Sequence, residues 1–346
     1  MYLRRFLALV LVSGLMVLGA APAAAAGFTK VGTLGFSWDS DLVGARLTSL
    51  GGADIAGEQG AEVVLANPAP LGFGTGVVAA YSRLDNYIFW DDGADLESLA
   101  VAGGWESLRV SFCRVGYGND DVLLFLPWDP DGRHTSYHTS MTVLGLSWEP
   151  ARRWLGSTFW RLAVGVNQRH YRYDRFGTVT TSDGWDAGAT LGWERPLRGG
   201  GISLRGAWSK QNVSGATIKY FEEFPNSPLQ QPWRGGVTAR GHLNWPAASR
   251  ELVALMLAYT HVEQAGDYFH DADQYGMELT LGGILAIRYG YDNDTVARPE
   301  SWGMGLILDE HFMGPVQARV HWSRLNYDPD WIVSRDLWGV DVGIDF

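Results

Sequence analysis

Hydrophobic and polar residues alternate with a period of two along most of the chain after residue 75. In the last segment, Trp338, Val340, Val342, Ile344 and Phe346 occupy every second position, with glycine or aspartate between them. This alternation is typical of β-strands that have one apolar and one polar face. We count about fourteen such segments, which predict strands at 75–83, 97–104, 107–117, 139–149, 158–172, 184–195, 201–212, 234–246, 250–263, 273–282, 284–292, 301–308, 314–324 and 336–346.

The links between these segments alternate between short and long. Short links follow residues 104, 149, 195, 246, 282 and 308, whereas the long polar links include 84–96, 118–138 and 173–183. A soluble β-sandwich also alternates in polarity, but short turns at one end and long loops at the other are typical of an up-and-down membrane barrel. The sequence therefore predicts an all-β fold, a transmembrane antiparallel β-barrel of about fourteen strands over residues 75–346. The glycine pairs at 103–104 and 235–236 are candidate kinks where the wall could open.

The N-terminus predicts export. Two arginines precede an apolar run from Phe6 to Ala20, and the small-residue stretch APAAAAG follows it. This pattern predicts a cleaved secretory signal peptide at residues 1–26. The mature part has no apolar run long enough for a membrane helix, and the net charge of −11 gives no reason to expect a nucleic acid partner.

Tryptophan is abundant, with 16 residues, and several lie near the ends of the expected strands. Aromatic girdles at both membrane interfaces are typical of outer-membrane barrels, whose outer surface contacts lipid. Together with the signal peptide, they predict an outer-membrane location. The candidate girdle residues are Trp105, Trp148, Trp193, Trp245, Trp302 and Trp322.

Residues 27–74 precede the first expected strand and are rich in glycine and alanine. A barrel of about fourteen strands is too wide for its wall side chains to fill, so it is either an open pore or a plugged one. Glycine and alanine allow the backbone to fold tightly in a crowded lumen. The sequence therefore predicts that residues 27–74 form a hatch inside the barrel.

The hatch segment carries three short motifs, Gly44-Ala45-Arg46, Leu50-Gly51-Gly52-Ala53 and Asn67-Pro68-Ala69. They resemble the front motif of the FadL superfamily, in the form found in its PorV/PorQ branch, although Pro70 stands where that motif has glycine. The terminal Phe346 likewise resembles the C-terminal signature of outer-membrane barrels. The resemblance implies a 14-stranded barrel with a lumenal N-terminal hatch, and it marks as hatch-motif residues Gly44, Arg46, Gly51, Gly52, Asn67, Pro68 and Ala69.

The resemblance implies two different functions. FadL-type members pass fatty acids or other hydrophobic small molecules across the outer membrane, as a specialised porin would. PorV-type members are scaffolds that bind secreted cargo or periplasmic protein partners. The apolar segment at 121–130 fits an exposed partner surface or a lid. A soluble periplasmic binding protein is a third class, which the strand pattern does not favour.

If the apolar face of each strand meets lipid, the charged residues between must point into the lumen, because charge on the lipid face is costly. They are interpreted either as a basic ladder for an anionic headgroup such as that of a fatty acid, or as ion pairs between wall and hatch. The sequence contains no catalytic motif that predicts an enzyme, and it predicts no cofactor and no metal, although acidic loops such as DPDG are an alternative calcium site. The lumen-facing candidates are Arg109, Arg205, Arg240, Arg288, Arg319 and His321.

Overall fold

In the computed structural model, the described residues are 44–57, 60–74, 76–84, 95–105, 107–126, 129–150, 159–175, 178–218, 227–229, 231–245, 251–263, 271–293, 300–308, 313, 315–326 and 334–344. The expected signal peptide and the first part of the expected hatch, at 27–43, lie outside these residues.

Fourteen strands of the described residues close into one antiparallel barrel, in which each strand pairs with its neighbours in chain order and the first barrel strand pairs with the last. The predicted barrel is therefore confirmed, with strand bounds within a few residues of those expected for most strands. The strands are β1 (Val77–Leu84), β2 (Asp95–Trp105), β3 (Leu108–Leu126), β4 (Asp129–Trp148), β5 (Trp160–Arg175), β6 (Thr178–Leu197), β7 (Gly200–Lys210), β10 (Trp233–Asn244), β11 (Glu251–Glu263), β12 (Ala272–Leu281), β13 (Leu285–Asp292), β14 (Glu300–Leu308), β15 (Val316–Asn326) and β16 (Arg335–Ile344). A separate two-stranded sheet, β8 (Thr217–Ile218) with β9 (Ser227–Pro228), lies between β7 and β10 in the sequence.

The barrel has two distinct ends. At the turn end, Val77 of β1 pairs with Ile344 of β16, and short connections join strand pairs such as β6 with β7. At the opposite, loop end, Leu84 pairs with Leu337.

Four neighbouring strands, β3 to β6, are 16 to 20 residues long, whereas a membrane-spanning strand needs about 9–11 residues. Most of residues 118–138 and 173–183 therefore belong to two extended hairpins rather than to the long loops expected from the sequence. Backbone pairing continues beyond the bilayer because it does not depend on which side chains face lipid. Glycines 103, 235 and 236 are paired with both neighbouring strands, and Gly104, at the end of β2, is paired with β3, so the wall does not open at these positions.

Beyond Lys210 the chain leaves the wall and turns inward. Asn212 adopts a positive φ of 46°, which asparagine tolerates better than most residues. Its side chain holds the turn by accepting a hydrogen bond from Ala216 N and by donating to the carbonyl oxygen of Leu229. Ile218 of β8 and Leu229 are buried with inward-facing side chains of the wall.

The outer face of the barrel is apolar over its whole circumference. Large hydrophobic side chains on alternate positions are exposed there, as a lipid-facing surface requires. The six candidate girdle tryptophans lie in two belts on this face. Four lie towards the turn end, namely Trp105, Trp148, Trp193 and Trp245, and two lie towards the loop end, namely Trp302 and Trp322. Among the described residues, no helix is long and apolar enough to cross a membrane.

The described residues between 44 and 74 lie inside the barrel, and nearly all of them are buried. They form helix α1 (Ala45–Ser49) and two 3₁₀ helices, Ala61–Leu65 and Ala69–Phe73. We call this segment the hatch. Helix α1 packs against β13 to β16, the first 3₁₀ helix against β1 to β4, and the second against β3 to β6. The hatch therefore contacts most of the circumference of the wall.

Candidate functional site in the barrel lumen

The hatch is attached to the wall by buried ion pairs around Arg46. Its guanidinium donates to Asp54 of the hatch at 2.8 Å and to Glu278 of β12 at 3.2 Å. Arg288 of β13 donates to the same Glu278 oxygen at 2.6 Å, and Thr238 of β10 donates to Asp54 at 2.9 Å. Because all four charged side chains are buried, each depends on its partners to offset the loss of hydration. Arg46 therefore links the hatch directly to β12, and through Glu278 and Asp54 to β13 and β10.

The network continues from Arg288 around the wall to β16. A guanidinium has no acceptor atom, so Arg288 donates to Nδ1 of His321 at 3.1 Å, and the ring carries its proton on Nε2. That Nε2–H group then donates to Asp341 at 3.1 Å. Hydrogen bonds thus connect the hatch to β12, β13, β15 and β16 through an unbroken series of buried groups.

Glu62 of the hatch lies beside Asp341 and accepts a hydrogen bond from Ser98 of β2 at 2.6 Å. Burial, and after it the negative charge of Asp341, raises the pKa of Glu62 to about 7. Hydrogen bonds from Ser98 and Ser82 oppose this shift but do not cancel it. The carboxyl of Glu62 therefore gains and loses its proton near neutral pH.

A second set of polar contacts holds backbone carbonyl groups at the end of the first 3₁₀ helix. Arg169 of β5 and Gln211 both donate to the carbonyl oxygen of Leu65 at 2.6 Å, and Asn167 donates to that of Val64 at 2.8 Å. Arg169 is itself paired with Asp186 of β6. The wall thereby satisfies carbonyl groups that the short helix leaves without internal partners.

At the turn end, the hatch finishes against two arginines of the wall. Arg161 stacks on the ring of Phe73 at 4.5 Å and donates to the Phe73 carbonyl oxygen, and Arg205 lies 5.5 Å from the same ring. Glu149 pairs with Arg161 at 2.7 Å, and Glu194 pairs with Arg205 at 2.7 Å. Cation–π contacts of this kind stabilise the docked hatch at its C-terminal end.

The hatch backbone also packs directly against glycines of the wall, at Gly165, Gly276 and, most closely, Gly290. A Cβ atom on Gly290 of β13 would lie 2.1 Å from Gly51 N and 2.3 Å from Leu50 C. Gly51 has a positive φ of 62°, which suits glycine. Both positions therefore need to lack a side chain if the hatch is to dock.

We expect Gly290→Ala to weaken hatch docking by about 2 kcal/mol or more, because the added methyl group would overlap backbone atoms that have little room to move. Limited proteolysis of the hatch in the purified barrel measures the effect, as a faster cleavage between residues 44 and 74. Gly206→Ala is the matched control, since a Cβ atom there has no neighbour within 4 Å. Equal cleavage rates in the two variants would contradict this account of the contact.

The six lumen-facing candidates of the sequence all lie on the inner face of the wall. Arg288 and His321 belong to the network around Arg46, Arg205 pairs with Glu194, and Arg240 pairs with Glu251. Arg109 donates to the carbonyl oxygen of Gly76 at 3.0 Å, and Arg319 donates to Gln317 at 3.2 Å. Arg288 and His321 thus belong to a network that joins wall and hatch, whereas Arg205 and Arg240 form ion pairs within the wall. Binding of an anionic headgroup by these arginines stays a prediction.

The hatch-motif residues have separate positions. Arg46 lies in the ion-pair network, Gly51 at the contact with β13, and Gly44 against the side chain of Glu62. Asn67 bridges parts of the hatch and the wall by donating to Ile55 O and Thr190 Oγ1 and by accepting from Ala69 N. The Pro68 carbonyl oxygen accepts a hydrogen bond from Ser147 of β4, and Gly52 N donates to Leu47 O.

The lumen becomes apolar towards the loop end. One inward-facing residue from each of six consecutive strands, β16 and β1 to β5, lies in register with the next across the strand pairs. All six are buried, and five of them are leucine or tyrosine packed in one apolar cluster with Ile218 and Leu229. We call these residues the loop-end row: Leu337, Leu84, Leu96, Tyr117, Thr139 and Tyr173.

Sequence reasoning did not single out Asp54, Glu62, Arg169 or the loop-end row. Asp54 and Glu62 carried a usable signal, because acidic residues in an otherwise glycine- and alanine-rich plug require buried partners. The row carried no such signal, since its members come from six strands whose register is not visible in the sequence. Within the described residues, no group of histidine, cysteine, aspartate and glutamate side chains is arranged to hold a metal ion.

No protein-family model matches the chain, and no curated protein matches it. Among solved structures, the toluene transporter TodX of P. putida is 10% identical, with 88% of this chain and 98% of that chain covered and a TM-score of 0.47. The toluene transporter TbuX of Ralstonia pickettii is 11% identical, with the same coverage and TM-score. A FadL homologue of Pseudomonas aeruginosa is 9% identical, with 85% and 96% covered and a TM-score of 0.44. The assignment as a closed barrel rests on the strand pairing of this chain, and the PorV/PorQ branch of the resemblance stays a prediction.

Proposed function

We propose that the protein binds hydrophobic small molecules in its lumen and passes them across the bacterial outer membrane. The observation that carries the proposal is the loop-end row. The interior of a membrane barrel is ordinarily polar, yet five of the six side chains in this row are leucine or tyrosine. An inward-facing apolar surface binds apolar groups by the same effect that drives burial of hydrophobic side chains. Ile218 and Leu229 pack in the same cluster as the row, and an apolar ligand would compete with them for it.

The hatch supports a gated passage rather than an open pore. Its buried residues lie between the loop-end row and the turn end, where they contact both halves of the wall. A ligand that leaves the row towards the periplasm must therefore pass the hatch. The polar contacts around Arg46 and Leu65 are the ones that such a passage has to loosen.

The test makes the same substitution at an inward-facing and at an outward-facing position of β2, in two separate variants. We expect Leu96→Trp to lower uptake of a radiolabelled monoaromatic hydrocarbon by roughly tenfold, because the larger ring fills the surface that the ligand would contact. Uptake is measured in cells that express the barrel as their only hydrocarbon channel. Leu99→Trp is the control, since Leu99 faces lipid on β2. Equal uptake by both variants and the wild type would argue against passage through the lumen.

One observation favours the alternative function as a scaffold for a secreted or periplasmic protein partner. The paired hairpins β3–β4 and β5–β6 continue well past the strands on the other side of the barrel, as the pairing of Val122 with Thr135 and of Arg175 with Thr178 shows. Such a projecting sheet offers a partner surface. Shortening the β5–β6 hairpin should abolish co-purification of a partner and leave hydrocarbon uptake unchanged if the barrel acts as a scaffold.

A further inference from the structure

Thr139 is the one polar aliphatic side chain in the loop-end row. It lies between two aromatic residues, since it pairs in register with Tyr117 of β3 on one side and Tyr173 of β5 on the other. All three side chains face inward and are buried. The hydroxyl of Thr139 therefore points into an apolar part of the lumen.

The Thr139 hydroxyl has no hydrogen-bond partner among the described residues, although only 1% of the residue is exposed. Buried hydroxyl groups are nearly always hydrogen-bonded, because burial without a partner loses the bonds made to water. An unpartnered buried hydroxyl in a candidate binding surface is what a ligand group would satisfy. Valine would fill the same volume without this cost. Four buried hydroxyl groups of the described residues lack a partner, those of Ser111, Thr139, Ser301 and Ser323, and Thr139 is the one that lies in the loop-end row.

We propose that Thr139 forms the polar contact of a binding subsite for an uncharged, mainly apolar molecule that carries one hydroxyl or carbonyl group. This inference rests on the proposed function and specifies its ligand class. The rings of Tyr117 and Tyr173 contact the apolar body of the ligand, and the Thr139 hydroxyl donates to or accepts from its single polar group.

The ligand group is neutral because the row contains no charged side chain. An ionised carboxylate held there would lose its hydration without a cation in the row to replace it. Of the buried inward-facing arginines near the row, Arg169 is committed to Asp186 and to the carbonyl oxygen of Leu65, and Arg335 lies two residues from Leu337 on β16, at the opposite end of the row from Thr139. A phenol or an alcohol therefore fits the subsite better than a carboxylate of similar shape.

The test compares ligands that share one body, namely 4-ethylphenol, ethylbenzene and 4-ethylbenzoate. Their Kd values are measured by calorimetry with the full-length protein in lipid nanodiscs at neutral pH. We expect the wild type to bind 4-ethylphenol most tightly. Thr139→Val should weaken binding of 4-ethylphenol about tenfold, which corresponds to about 1.4 kcal/mol, and change that of ethylbenzene by no more than about twofold.

Three further variants separate the contact from general effects on the barrel. Thr139→Ser keeps the hydroxyl and should keep the preference for 4-ethylphenol, and Thr139→Ala gives the same comparison as valine if the valine variant does not fold. Thr142→Val removes a hydroxyl from the outward-facing side of the same strand and should change neither Kd.

The outcomes distinguish this inference from the proposed function. If the wild type binds none of the three compounds, the proposed function and this inference both fail. If it binds them and Thr139→Val changes the Kd values of 4-ethylphenol and ethylbenzene equally or not at all, the assignment of Thr139 is wrong and the proposed function stands. Tighter binding of 4-ethylbenzoate than of 4-ethylphenol would overturn the neutral ligand class.

Discussion

Replacing Arg46 with methionine is expected to release the hatch from the wall. Asp54 would lose its ion-pair partner, and Glu278 would lose one of its two, while both carboxylates stay buried. Removing one partner of a buried ion pair typically costs about 3–5 kcal/mol, because the remaining charge is left uncompensated. Amide hydrogen exchange in residues 44–74 should therefore accelerate by roughly a hundredfold or more.

The matched control for Arg46 is an arginine on the outer face. Arg83 of β1 pairs with Glu97 of β2 at 3.7 Å, and both side chains are about half exposed. Exposed pairs of this kind contribute about 0–1 kcal/mol, so Arg83→Met should leave exchange in the hatch at the wild-type rate. Slow exchange in the Arg46 variant, equal to that of this control, would show that the buried pairs do not hold the hatch.

The second large effect is a dependence of hatch docking on pH. The pKa of Glu62 is raised to about 7 in the folded protein from an ordinary value of 4.5. The docked hatch therefore binds a proton more tightly than the released one, and docking is strongest below about pH 4.5. It should weaken as the pH rises to about 7 and above, by roughly 3 kcal/mol in total.

Hydrogen exchange or proteolysis of the hatch between pH 5 and pH 8 measures this dependence. Glu62→Gln mimics the protonated carboxyl and keeps an acceptor for Ser98, so it should hold the hatch docked at pH 8 as firmly as at pH 5. The wild type should match this variant at low pH and differ from it at high pH. A wild-type hatch that is equally protected at both pH values would rule out titration of Glu62 in this range.

The wall of the barrel could be predicted from the sequence because each residue of a membrane-spanning strand faces either lipid or the lumen. Strand β16 shows this clearly, since Trp338, Val340 and Val342 face outward and Asp341 faces inward, as their alternation indicates. The prediction was wrong at residues 118–138, where polar residues such as Asn119 and Asp120 interrupt the alternation. The backbone pairing continues there all the same, because a ladder of backbone hydrogen bonds does not require alternating side chains.

The site could be predicted only in part. The inward direction of Arg288 and His321 follows from the cost of charge in lipid, but their partners do not. Arg46 and Glu278 are 232 residues apart, and their contact depends on where the hatch settles inside the barrel. No local periodicity encodes that position. The loop-end row could not be predicted from the sequence for a related reason, because it depends on the register of five strand pairs.

The loop-end row begins on the last strand of the barrel and continues on the first five. Leu337 and Leu84 come together only through the pairing that joins β16 to β1. A newly synthesised chain that has not yet completed this seam has no continuous row. Continuity of the row across the seam is therefore acquired only when the barrel closes, whereas the part contributed by β3, β4 and β5 forms without the seam.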